Sequence, residues 1–264
     1  MSDPSLARAF ADLRARGRTA LIPYLTAGYP DLRTSGDALR AAEELADVLE
    51  VGVPFSDPLA DGPTIQRSTF QALQQGMTLG GTLELIDRCR LRRPVVVFSY
   101  LNPILRYGLD RFLRAAEDLG VAGLLLTDLP AGADPGVEDA VRASRLDLIR
   151  LVAPTTRPDR LRQALAGAEG FVYLVARLGV TGASRALATD LAESIERVRQ
   201  ATPLPVAVGF GISTAEQAAA VARRADGVVV GSALVDVLGT GGVGAARDFL
   251  RELRAALDPA PAVA

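Results

Sequence analysis

The chain has 264 residues, a length typical of a single α/β barrel, and its 49% apolar and 23% charged residues are a globular composition able to bury a sizeable core. A net charge of -2 with no basic run excludes the electrostatic footprint of a nucleic-acid binder, and no stretch approaches the roughly 20 apolar residues of a membrane span. All 29 basic residues are Arg, His and Trp are absent, and Cys89 is the only thiol, so Schiff bases, Ser-His-Asp triads, His-rich zinc sites and internal disulfides are excluded.

The opening MSDPSLARAF holds no apolar signal stretch, which together with the single thiol predicts a reducing, cytoplasmic setting. Residues 5–17 (SLARAFADLRARG) then read as a helix lying across the bottom of the fold. Eight short runs rich in Val, Leu and Ile follow, the signature of buried parallel strands: 19–26, 46–52, 93–100, 121–128, 146–153, 170–176, 204–210 and 225–231. Between them lie amphipathic patterns such as 33–45, 109–120, 157–167, 188–200 and 213–224, several led by a Ser, Thr or Asp placed as an N-cap. Eight regular βα repeats with no second composition zone predict a closed (β/α)8 TIM barrel with an extra N-terminal helix, one domain over 1–264, ending in a frayed DPAPAVA tail.

In such a barrel the site is built at the C-terminal ends of the strands. Glu50 closes an otherwise apolar second strand, where burial would raise its proton affinity. By position it is either a catalytic carboxyl or a structural one paired with an arginine. Asp57 and Asp61 lie in a long loop carrying three prolines and one glycine, which suits either a site loop or a solvated turn using Asp for local hydrogen bonds. Asp128 follows the fourth strand. Gly209-Phe210-Gly211 after the seventh strand and Gly231-Ser232 after the eighth occupy the usual phosphate position of this architecture, with SALVDVLG as the short helix that would aim its amides at the anion. Tight turn packing is their alternative reading. The glycine-bearing RLGVTGASR after the sixth strand suits a mobile surface loop or a lid.

The block EVGVPFSDPLADGPTIQ, with LIPYLTAGYP, FSYLNPILRYG, LTDLP, YLVARLGVTG, VGFGIS and GSALV in this order and spacing, resembles the tryptophan synthase α subunit family from the first strand to the eighth. The resemblance implies retro-aldol cleavage of indole-3-glycerol phosphate to indole and glyceraldehyde 3-phosphate, with no metal or organic cofactor. It gives Glu50 the role of acid/base at the indole carbon and the glycerol hydroxyl, Asp61 that of the carboxylate facing the indole N–H, and Tyr173 that of a site tyrosine near Glu50. Tyr24, Ile65 and Phe210 match walls of the indole pocket; Gly182, Gly211, Gly231 and Ser232 match the phosphate cradle. It further implies an α2β2 assembly with a pyridoxal-phosphate-dependent β subunit, facing β through 54–63 and 101–107, with Asp57, Pro58 and Asn102 among the contacts. The lid matches 177–185, with the Thr181 hydroxyl against Asp61 when closed. From composition alone Leu59, Leu101, Pro103 and Ile104 read equally well as rim packing. Two other functions fit the barrel: a sugar-phosphate isomerase or epimerase, disfavoured because such chemistry generally uses His, Lys or metal ligands, and a non-catalytic subunit holding a phosphorylated ligand.

Overall fold

The computed structural model describes residues 5–175, 185–209 and 211–258, the segment 185–190 by its backbone alone. Eight parallel strands, β1 (Ala20–Thr26), β2 (Leu49–Gly52), β3 (Val95–Ser99), β4 (Gly123–Leu126), β5 (Asp147–Val152), β6 (Val172–Val175), β7 (Val206–Gly209) and β8 (Gly227–Val230), pair in chain order. β8 closes on β1, with Ala20 opposite Gly227 and Pro23 opposite Val230. Each apolar run of the sequence holds one strand. The strands are shorter than the runs because ends such as Thr127-Asp128 and Gly231 leave the sheet as turns.

The five helical patterns appear as α2 (Leu32–Glu43), α6 (Leu109–Asp118), α8 (Pro158–Ala164), α9 (Arg185–Ala201) and α10 (Ala215–Ala222). Four more helices join them: α3 (Pro63–Gln74), α4 (Leu79–Cys89), α5 (Leu101–Tyr107) and α7 (Pro135–Ala143). Pro63 sits at the start of α3, where its missing N–H costs nothing, so the proline-rich loop ends one residue before it. The expected short helix at SALVDVLG is present as the first part of α11 (Ser232–Leu257), which kinks into a second helical part at Gly242, whose φ of 70° only glycine adopts easily. The DPAPAVA tail lies outside the described residues after Asp258.

Strand alternation sorts the core into two clusters. Leu21, Leu25, Leu49, Val51, Val97 and Leu124 face outward and pack under the helices. Ile22, Tyr24, Val48, Val96, Phe98, Leu125, Ile149, Phe171 and Tyr173 face inward. The helix α1 (Leu6–Ala15), capped by Ser5, buries Leu6, Phe10 and Leu13 in this inner cluster and closes the N-terminal mouth, with the Phe10 ring 5.5 Å from Phe171. The open end is therefore the C-terminal one. Two buried ion pairs tie the shell: Arg254 of α11 donates to Asp47 at 2.7 Å, which also accepts the Leu21 N–H at 2.9 Å, and Arg150 of β5 pairs with Glu138 of α7.

Candidate active site

The inward register carries Glu50 into the barrel. It lies opposite Tyr24 of β1 and Val96 of β3, and it is fully buried. Neither carboxyl oxygen has a hydrogen-bond partner among the described residues, and no arginine there pairs with it. Burial alone pushes its pKa from the ordinary 4.5 up to about 8, so it holds a proton at neutral pH. A side chain whose two oxygens are desolvated and unbonded is not serving as an arginine's partner.

Two glycines make room for the tyrosines beside it. A Cβ on Gly52 would stand 2.1 Å from the Tyr24 hydroxyl, and one on Gly209 would stand 2.2 Å from that of Tyr173. Gly209 thus serves a tyrosine of the site, a role its place in the Gly-Phe-Gly turn did not reveal. Burial raises both phenols, Tyr173 next through the charge of Glu50 and Tyr24 next through that of Asp61, so both remain neutral hydroxyls. Phe98 meets Tyr24 edge to face at 5.2 Å, and Ile65 from the first turn of α3 adds an aliphatic wall. The cavity measures about 630 Å³, opens at the C-terminal mouth and brings together Tyr24, Glu50, Asp61, Ile65, Tyr173, Gly211, Gly231 and Ser232.

Asp61 reaches this cavity from the loop between β2 and α3. The loop folds on itself through the Asp61 N–H to the Pro58 carbonyl at 3.0 Å and through Gln66 Nε2 to the Asp61 carbonyl at 3.0 Å. Its second anchor is Tyr100, at the start of α5, whose hydroxyl accepts the Ala60 N–H at 2.9 Å and is near enough to the Asp61 carboxylate to favour its ionised form. The Tyr100 ring is buried and rests 5.1 Å from Phe55 of the same loop. Burial raises Asp61 to about 6, and the Tyr100 hydroxyl opposes that rise. Asp128 in turn accepts the Leu101 N–H at 2.8 Å, satisfying a free amide at the N-terminus of α5, which no side chain of its own caps. Sequence reasoning missed Tyr100; its place two residues after the inward-facing Phe98, just past the strand end, was the available signal.

The far end of the cavity is lined by the N-terminal ends of two helices. Gly211 takes a φ of 84°, turning the chain after β7 into Ser213 and the α10 N-terminus, where Thr214 and Gln217 form a capping box. Gly231 is the N-cap of α11 with no side-chain bond, so the first amides of the helical part before Gly242 lie at the cavity. A Cβ on Gly231 would make only ordinary contact, 3.6 Å from Tyr24 Cβ, so crowding is not what demands glycine there. No arginine lines the cavity among the described residues.

Thr181, Gly182 and Phe210, and the 177–184 part of the expected lid, lie outside the described residues. Among the expected partner contacts, Asp57 and Asn102 are exposed and Pro58 is half-buried. Leu59 is 92% exposed at the tip of the loop, whereas Ile104 is fully buried. Rim packing therefore describes Ile104 and not Leu59.

The sequence profile of the tryptophan synthase alpha chain family matches residues 10–256. The tryptophan synthase alpha chain of Gloeobacter violaceus is 46% identical over 97% of this chain and 96% of its own length, and that of Acidiphilium cryptum is 49% identical over 89% and 87%. Among solved structures, tryptophan synthase of Mycobacterium tuberculosis superposes with a TM-score of 0.89 at 42% identity, covering 97% of this chain and 100% of that one. The alpha subunit from Legionella pneumophila follows at a TM-score of 0.87 and 34% identity over 96% and 98%. The profile, the relatives and the superposed barrels each cover nearly the whole chain, and the chain belongs to the tryptophan synthase alpha chain family.

Proposed function

We propose that Glu50 and Asp61 are the acid/base pair with which this chain performs its family's reaction, cleavage of indole-3-glycerol phosphate to indole and glyceraldehyde 3-phosphate. The single observation that carries the assignment is the fully buried, unbonded carboxyl of Glu50 inside a cavity it shares with a second carboxylate.

Glu50, protonated below about pH 8, delivers a proton to the indole carbon that bears the glycerol chain. As that carbon becomes tetrahedral, positive charge spreads to the ring nitrogen, and Asp61, ionised above about pH 6, accepts the N–H. The carbon-carbon bond then breaks, its electron pair restoring the indole. The side-chain hydroxyl next to the broken bond becomes the aldehyde and returns its proton to Glu50, which ends as it began. Tyr24 and Tyr173, held neutral, supply apolar ring faces with hydroxyls beside the reacting carbons. The phosphate is held by the uncapped first amides of α11 with the Ser232 hydroxyl, beside the Gly211 turn, since the capping box already occupies the Ser213, Thr214 and Gln217 amides of α10. Thr181 and Gly182, from the segment between β6 and α9, complete the enclosure as lid and cradle, with Phe210 as a wall of the indole end. The absence of Lys and His from the sequence supports this reading over an isomerase or epimerase.

A pyridoxal-phosphate-dependent β subunit is the partner on this reading, in an α2β2 assembly. The exposed Leu59 and Leu105 near Asp57, Pro58 and Asn102 support that surface. The working place is the cytoplasm, in keeping with one buried, free cysteine, Cys89; no helix among the described residues is long and apolar enough to cross a membrane.

Glu50→Gln tests the assignment, because the amide keeps the shape and removes the proton. Turnover should fall by at least about 10²- to 10⁴-fold with substrate binding nearly intact. More than a tenth of wild-type turnover would remove Glu50 from the mechanism.

A further inference from the structure

The anion-binding end of the cavity presents carboxylates and, among the described residues, no cation. Asp236 stands one turn past Ser232 on α11 and lines the same cavity, where a bare carboxylate would repel a phosphate dianion. It is not bare. Arg67 Nη2 donates to one oxygen at 3.1 Å, the Thr64 hydroxyl donates to the other at 2.9 Å, and Arg67 also donates to the Thr64 oxygen at 3.2 Å. Thr64 and Arg67 belong to the first turn and a half of α3, which starts two residues after Asp61. One closed three-membered clasp therefore joins the helix that aims its N-terminus at the phosphate to the helix that follows the Asp61 loop.

We propose that Arg67 and Asp236 determine specificity for the phosphorylated substrate: Asp236 fixes α3 against α11 through Thr64, and Arg67 cancels its charge so that the carboxylate does not oppose the dianion. This rests on the phosphate site proposed above. Both side chains are more than half exposed, so the pair adds little to stability, and its effect is electrostatic and local.

The test is condensation of indole with glyceraldehyde 3-phosphate by the full chain. Arg67→Gln leaves Asp236 uncompensated and should raise KM for glyceraldehyde 3-phosphate about two- to fivefold, with KM for indole and the melting temperature unchanged. The double variant Arg67→Gln/Asp236→Asn, which removes both charges, should return KM to the wild-type value. The Arg67→Gln effect should also shrink at about 1 M salt, where exposed charges are screened. A merely structural clasp would instead give equal losses in the single and double variants, or losses for indole as well, and either result overturns the proposal, as does no change at all. An unchanged KM for glyceraldehyde 3-phosphate in Ser232→Asp would overturn the phosphate site itself, and this inference with it.

Discussion

Glu50 and Asp61 are carboxyls of like chemistry held in unlike surroundings, one with no partner among the described residues and one whose charge is favoured by a neighbouring phenol. Their pKa values of about 8 and about 6 leave a window in which the first is an acid and the second a base. The kcat/KM for cleavage should therefore follow a bell with limbs near pH 6 and 8. Tyr100→Phe removes the hydroxyl that favours ionised Asp61, so the acid limb should move up and the alkaline limb stay; an unmoved acid limb would show that Tyr100 does not act on Asp61. The same buried Glu50 makes stability depend on pH. Its folded pKa is raised, so the favourable contribution of its protonated form is complete below about 4.5 and is lost as pH rises through about 8. Relative to Glu50→Gln, the wild type should lose up to about 1.4 kcal/mol per pH unit across that window, read as a melting-temperature gap that widens with pH. A constant gap would mean the carboxyl is solvated.

At the scale of elements, the strand ends decide which side chains enter the cavity. β2 and β7 each finish in an inward glycine, and the phenol of a nearby strand occupies the space a side chain would take. Gly209→Ala should push the Tyr173 ring off its place beside Glu50, lowering turnover by at least about tenfold at a stability cost of about 1 to 3 kcal/mol, measured by kinetics and thermal melts together. Wild-type kinetics in that variant would show that Tyr173's position is immaterial. The helices contribute differently. α5 is only seven residues long and owes its N-terminal satisfaction to Asp128 from the end of β4, so a strand two positions along the chain helps hold Tyr100 in place. The eight strands, α1, the opening of α11 and five more helices were legible as patterns, but α3 was masked by the Pro-Gly loop before it, and α5 is too short for periodicity to mark.

For the whole molecule, closure of the sheet collects at one mouth residues from β1, β2, β3, β6 and the loops after β7 and β8, while α1 seals the other mouth. The same mouth presents Leu59 to solvent, 92% exposed, on the loop that carries Asp61. Leu59→Asp should weaken association with the β subunit at least several-fold in a titration while leaving the melting temperature of the free chain unchanged, since an exposed side chain contributes little to folding. Unaltered affinity would place the partner elsewhere. The sequence by itself determined the barrel, because eight apolar runs and their amphipathic spacers record the two faces each strand must satisfy, and it determined where polar residues leave the core. Motif resemblance named Glu50, Asp61 and Tyr173. Only the tertiary structure decided that Glu50 is unpaired among the described residues, that Tyr100 grips Asp61, that Gly52 and Gly209 yield their space to phenols, and that Arg67 covers Asp236. Desolvation, hydrogen bonding and steric room are properties of neighbours tens to more than a hundred residues apart in sequence, and those neighbours meet only when the sheet closes.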